Sequence, residues 1–348
     1  MRAPLALHLH HASLAEYESA PWGDVPGVAG FHGSGASKSP AAGRAGIPIA
    51  RVKTPVLPDA GELYQVWRCG EPAASGEHER LRFRRSGEML FDCVANAETR
   101  ASPDGNGCSS LQAATAQAYR EIFAALAAES YPHLLCIWSY LPAINRDEHG
   151  GERYRQFNRA RQQALRARGR AHQGTVPAAS ALGCSLASPL MVYFLAGRIA
   201  PTFVENPRQV SAYHYPREYG GYRPAFSRTT LLRQSTGLAL FISGTASIVG
   251  HRSVHVGDIG AQTRETLTNI QALLAEANRA APGAGFTLRS LACKVYVRRP
   301  VDLPIIQAHL NEALGQDART IFLQADICRQ DLLIEIEAAG IRPLAAAA

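Results

Sequence analysis

The chain has 348 residues, 46% hydrophobic and 19% charged, a composition that builds folded cores and excludes a disordered polymer. Its length exceeds that of one ordinary domain, so two domains or two similar fused halves are expected. No run approaches the roughly 18 uninterrupted apolar residues of a membrane span, and the opening MRAPLALHLHHAS lacks a charged-then-apolar leader, so the cytoplasm is the expected compartment.

Residues 22 to 47 are rich in Gly, Ser, Ala and Pro and read as a long loop. Strand patterns follow at Leu63 to Cys69, Arg80 to Arg85 and Met89 to Val94, then a helix from Ser110 to Glu129 and a strand at His133 to Tyr140. Next comes GERYRQFNRARQQALRARGRA, residues 151 to 171, which carries much of the excess positive charge on a helical pattern. A run of this kind reads as a solvated face, and without an accompanying recognition motif no nucleic-acid partner is expected; the net charge of +7 equally suits a small anionic substrate.

A strand near Val176 to Cys184 closes the first domain, taken as residues 1–185, and Met191 to Ala196 opens the second, residues 186–348. The segment from Asn206 to Arg228, with four tyrosines and four arginines, suits a surface loop or an anionic aromatic ligand. From Leu238 the pattern is strand, short strand at Val254 to Val256, helix capped by Asp258, strand at Ser290 to Arg298, helix capped by Asp302, and strands at Thr320 to Ala325 and Leu332 to Ala338. That order predicts an α+β fold: a mixed sheet with two helices packed on one face. The first half offers a looser version, which suggests internal duplication.

In the last strand, LLIEIEA, Ile334, Ile336 and Ala338 point towards the helices, whereas Glu335 and Glu337 share the opposite face. Lys294, Tyr296 and Arg298 take the same class of position on the flanking strand, Ser290 to Arg298, so a polar, aromatic-lined cleft is expected there, with a solvent-exposed face as the alternative. Seven cysteines without C-x-x-C spacing give neither a zinc site nor a disulfide framework, and no phosphate-cradling glycine loop is present; no metal or cofactor is expected.

The runs LFISGTASI, AQTRETLTNIQALLAEA, CKVYVRRPVDL, ART and IEIEA resemble the Rid (YjgF-like, chorismate mutase-like) fold over roughly residues 236 to 342. That resemblance implies that Arg319 and Glu335 face a cleft completed by a neighbouring unit, supplied by a trimer or, in a monomer with internal pseudo-symmetry, by the N-terminal half. Over a longer stretch, including NPRQVSAYHYPREYGGYRPAFSR, SGTASIVGHRSVHVGDIGAQT and LQADICRQDLLIEIEA, the chain resembles the chorismatases. This resemblance implies cleavage of chorismate with release of pyruvate, and makes Glu335 the catalytic acid. It maps the cysteine and glycine that distinguish hydroxybenzoate synthases from chorismate hydrolases onto Cys328 and Gly244, and so implies 3-hydroxybenzoate, with 4-hydroxybenzoate in one branch.

Chorismate is an enol ether with two carboxylates, so cleavage asks for a protonated acid and at least two fixed cations. Arg228, Arg298 and Arg319 are the expected carboxylate partners, and Tyr213 and Tyr296 the expected hydroxyl donors. A chorismate hydrolase, a Rid-type imine deaminase and a non-catalytic ligand- or RNA-binding protein are the competing readings; a deaminase would leave most of the chain without a task.

Overall fold

In the computed structural model, residues 7–19, 21–33, 46–58, 61–98, 108–170, 174–219, 221–235 and 237–343 are described. The period-2 apolar runs form two mixed sheets. One has six strands in the order Ala178–Cys184, His133–Pro142, Leu190–Gly197, Met89–Asn96, Leu81–Ser86 and Ala74–His78. The other has seven, in the order Thr202–Val204, Thr229–Gln234, Gly237–Ala246, Ile334–Pro343, Leu291–Val297, Arg319–Gln324 and Val56–Leu57.

The two sheets repeat one topology. Each half runs strand, strand, helix, strand, helix, strand, strand; in each, the third and fourth of these strands pair in parallel and the last inserts antiparallel between the second and third. The duplication that is faint in the residues is therefore plain in the strand order. Helices Ser110–Ala128 and Arg153–Arg166 pack on the outer face of the six-stranded sheet, and Ile259–Ala280 and Leu303–Leu314 on that of the seven-stranded sheet. Ser109 and Gln112 form a capping box at the first helix, and Asp258 accepts the Ala261 N–H at 2.9 Å at the third. Asp302 makes no such cap; its carboxylate pairs with Arg299 instead.

The inner faces of both sheets meet in one core with a four-stranded sheet of His8–Ser13, Leu63–Arg68, Gly27–His32 and Ile49–Lys53. The glycine-rich stretch expected as a loop thus supplies the strand Gly27–His32, while residues 34–45 lie outside those described. Its small residues serve close packing: a β-carbon on Gly27 would stand 1.8 Å from the Phe91 ring. Two further expectations are corrected. Leu190–Gly197 lies inside the six-stranded sheet, so this strand belongs with the first half and not after a boundary at 185. The short strand is Arg252–Ser253, and Val256 is exposed.

The basic helix is not a solvated face throughout. Arg153 is buried against Glu98, Glu148 and the Pro142 carbonyl, and Arg161 is buried over the Phe157 ring. No helix among the described residues is long and apolar enough to cross a membrane.

Candidate active site

The face that carries Glu335 and Glu337 is buried, because the six-stranded sheet covers it, and the two carboxylates have separate surroundings. Glu337 sits in the sheet–sheet core, where it pairs with Lys294 and accepts from Trp138 Nε1 at 2.7 Å and the Tyr296 hydroxyl at 3.0 Å. Lys294 in turn donates to the Tyr193 hydroxyl at 2.8 Å. Trp138 and Tyr193 are cross-strand partners in one sheet, Lys294 and Glu337 in the other, so the pairs exchange contacts reciprocally. This network is structural. The expected cleft lining of Lys294 and Tyr296 is therefore overturned: Tyr296 is wholly buried and bonds Tyr140 at 2.7 Å.

Glu335 lies two residues earlier, at the wall of a cavity of about 470 Å³ where the two halves meet, a volume that suits a small molecule. The first half contributes Glu152, Tyr154, Arg155 and Asn158; the second contributes Tyr215, Tyr219, Phe226, Arg228, Gly244, Arg252, Cys328 and Arg329. Burial, reinforced by the charge of Glu337 and opposed by Arg228, Cys328 and Arg298, pushes the Glu335 carboxyl up to about 8. At neutral pH it holds its proton. The Cys328 thiol, itself pushed up to about 12 by burial and by Glu335, faces the same carboxyl with Sγ 3.9 Å from Oε2.

Gly244 occupies a bulge. Ile242 pairs with Ala338 and Thr245 with Ile336, so Ser243 and Gly244 together stand opposite Glu337. The Gly244 N–H donates to Ser180 Oγ at 3.0 Å in the facing sheet, and a β-carbon on it would lie 2.0 Å from Glu335 Oε1. Glycine here lets the acid fold against the strand, where a side chain would push the carboxyl aside.

Four arginines line the cavity: Arg155, Arg228, Arg252 and Arg329. Arg228 is buried, held by the Val210 carbonyl at 3.0 Å and the Tyr215 hydroxyl at 2.8 Å, and its Nε is without a hydrogen-bond partner. Arg329 is stacked over Tyr219 at 4.3 Å and held by the His251 carbonyl at 2.9 Å, and its buried Nη2 has no partner. Buried donors of this kind cost about 1–3 kcal/mol unless an acceptor meets them, and an anionic ligand would supply one.

Of the residues expected from sequence, Glu335, Cys328, Gly244 and Arg228 come together at this cavity; four do not. Arg298 spends its guanidinium on the loop of residues 326–332. Arg319 is exposed at the start of its strand and donates to the Ser290 carbonyl at 3.3 Å, away from the cavity. Tyr213 donates to Glu205 at 2.8 Å away from the cavity, and Tyr296 belongs to the core. Sequence reasoning missed Arg155, Arg252, Arg329, Tyr215 and Tyr219, although the last two lie in the tyrosine- and arginine-rich segment.

A chain of two topologically equal halves, with a neutral buried acid and several arginines at their junction, has the architecture of an enzyme that handles a small anion by acid catalysis. The family model described as "Chorismatase FkbO/Hyg5-like, N-terminal" matches residues 65–196. A 3-hydroxybenzoate synthase of Streptomyces hygroscopicus is 38% identical over 81% of this chain and 82% of its own. A chorismatase of Streptomyces rapamycinicus is 35% identical over 84% and 86%. A chorismatase crystal structure matches with a TM-score of 0.84 at 30% identity, covering 98% of this chain and all of that one. The chain belongs to the chorismatase family.

Proposed function

We propose that the chain cleaves chorismate to pyruvate and 3-hydroxybenzoate, with 4-hydroxybenzoate as a further product of the same branch, and that Glu335 is the proton donor. The observation that carries this reading is the buried Glu335 carboxyl, pushed up to about 8 by its burial, at the wall of an arginine-lined cavity, beside Gly244 and Cys328. Arg228 and Arg329, each with a buried, unpartnered N–H, are suited to the two substrate carboxylates, and Arg155 and Arg252 add positive charge.

The Glu335 proton passes to the enolpyruvyl methylene, forming the C–H bond and an oxocarbenium ion whose charge the new carboxylate offsets. The neighbouring ring hydroxyl then displaces the ether oxygen: its oxygen bonds to the ring carbon, the ring C–O bond breaks, and pyruvate leaves as the keto form. Aromatisation rearranges the remaining ring, and the proton shed returns to the Glu335 carboxylate. The atoms of chorismate are thereby divided between the two products with no net consumption of water. Cys328, as a neutral thiol against the acid, occupies space that a water would need for hydrolysis.

Because both halves of one chain line the cavity, a single chain suffices for the site, and a monomer is the proposed working unit. The cytoplasm is the proposed setting, supported by the seven free thiols. The test is incubation of purified protein with chorismate and identification of all products. Pyruvate and hydroxybenzoate in equal amounts are expected; pyruvate with a dihydroxycyclohexadienoate would make the protein a hydrolase, and unchanged chorismate would refute the reading.

A further inference from the structure

Arg298 follows the strand Leu291–Val297 and makes no contact with the cavity, yet every N–H of its guanidinium is used. Nε donates to the Leu332 carbonyl at 2.7 Å. Nη1 donates to Asp326 Oδ1 at 2.8 Å and Asn145 Oδ1 at 3.2 Å, and Nη2 to the carbonyls of Ile327 and Arg329, both at 3.0 Å. The backbone N–H of Arg298 also donates to the Leu333 carbonyl at 3.0 Å. The loop of residues 326–332 is thus wrapped around one planar cation, gripped on both sides of Cys328. Asn145, from the first half, adds a donor to the Ile327 carbonyl at 3.0 Å and another to Glu152 at 3.4 Å, which joins the loop to the opposite wall of the cavity.

We propose that Arg298 is a positioning residue: it fixes the loop of residues 326–332 so that Cys328 and Arg329 face the acid and the substrate, and in that way sets how chorismate is partitioned between hydroxybenzoate and diene. The inference rests on the proposed chorismate cleavage. Three backbone carbonyls and two side-chain oxygens at fixed angles require a five-donor fork; a lysine ammonium has three donors on a flexible stem and the same charge. Charge and geometry are therefore separable at this position. Loss of the fork leaves the Arg329 carbonyl without this donor and the Ile327 carbonyl with Asn145 alone, so the thiol and Arg329 drift from the cavity and water gains access to the oxocarbenium ion.

The experiment compares Arg298→Lys and Asn145→Ala with the wild type in four readouts: KM against kcat, the diene-to-hydroxybenzoate ratio, the kcat–pH profile, and hydrogen exchange of peptides spanning residues 326–333. Arg298→Lys is expected to raise KM about tenfold, shift the ratio about tenfold towards diene, speed exchange in that loop, and leave the alkaline limb of the pH profile in place because the charge is kept. Wild-type KM, ratio and exchange in Arg298→Lys would overturn the proposal and leave only the charge as its contribution. If that variant fails to fold, Asn145→Ala, which removes one Arg298 contact and one bond to Ile327, is expected to give a smaller shift in the same direction, and an unchanged ratio and exchange would overturn it. Should the wild type leave chorismate intact, the proposed function fails, and the exchange readout alone decides whether Arg298 holds the loop.

Discussion

Gly244 and Glu335 are fitted to each other: the acid's Oε1 lies 2.0 Å from where any other residue at position 244 would carry its β-carbon, closer than the two atoms could stand. A methyl there acts on the proton donor before it acts on the substrate, since a carboxyl at the end of a flexible side chain is the part that gives way. Gly244→Ala is expected to lower pyruvate release by about tenfold or more, because misplacement of about 1 Å can cost up to 10²-fold. Replacing Cys328 in the same chain is expected to raise the diene share of what remains. The check is quantification of pyruvate, both hydroxybenzoates and diene; an unchanged rate and ratio would show that the carboxyl is not constrained by residue 244.

The raised carboxyl fixes the sign of the pH dependence. Glu335 donates while protonated, so kcat is expected to hold through neutrality and fall as pH rises through about 8. Stability follows the same group: the folded chain keeps a proton that the unfolded chain releases near the ordinary carboxyl value of 4.5. The stabilisation is fully present below that value and is lost as pH rises through the folded one. Thermal melts of wild type and Glu335→Gln between pH 4 and 9 should show the wild type losing ground to the variant across that window; parallel curves would contradict the assignment.

Two arginines with buried, unpartnered donors are expected to outweigh the one that fold resemblance would choose. Arg228→Gln and Arg329→Gln should each lower kcat/KM by roughly 10- to 100-fold, as befits a charge-assisted contact of about 1.5–3 kcal/mol. Arg319→Ala, at an exposed position, should stay within about twofold. Steady-state kinetics on the three variants makes the comparison, and equal effects would place the anion elsewhere.

Lys294→Met is expected to act on the fold and not on the chemistry. It strands Glu337 in the core between the sheets, and breaking a buried pair from one side costs about 3–5 kcal/mol. Denaturant unfolding reads the loss, and a stability near wild type would mean that the network around Glu337 bears little weight.

The C-terminal half was legible because its signals are local: period-2 and period-3.6 patterns placed nearly every element from Leu238 onward, and Glu335 with them. What sequence could not show was which face of a sheet meets another. The alternation around Glu335, Glu337, Lys294 and Tyr296 is correct, yet one face holds both a reactive acid and an inert ion pair, and only the facing strands Leu190–Gly197 and His133–Pro142 separate them. The same long-range packing turned Gly27 from a loop glycine into a sheet contact and drew Arg155 from a charge run to the cavity wall. Arg298 was expected to hold a substrate carboxylate and instead bonds the loop of residues 326–332; a guanidinium bonding carbonyls of a loop leaves no signature in residue order.

The most direct test of the account is turnover of chorismate by Glu335→Gln. The amide is nearly isosteric and keeps the neutral state of the acid at pH 7, so fold and substrate affinity should be retained while the proton is missing. The account predicts that kcat falls by at least about 10²-fold, the usual value of general acid catalysis, with chorismate binding by calorimetry within a few-fold of the wild type. Activity within a few-fold of the wild type would contradict it.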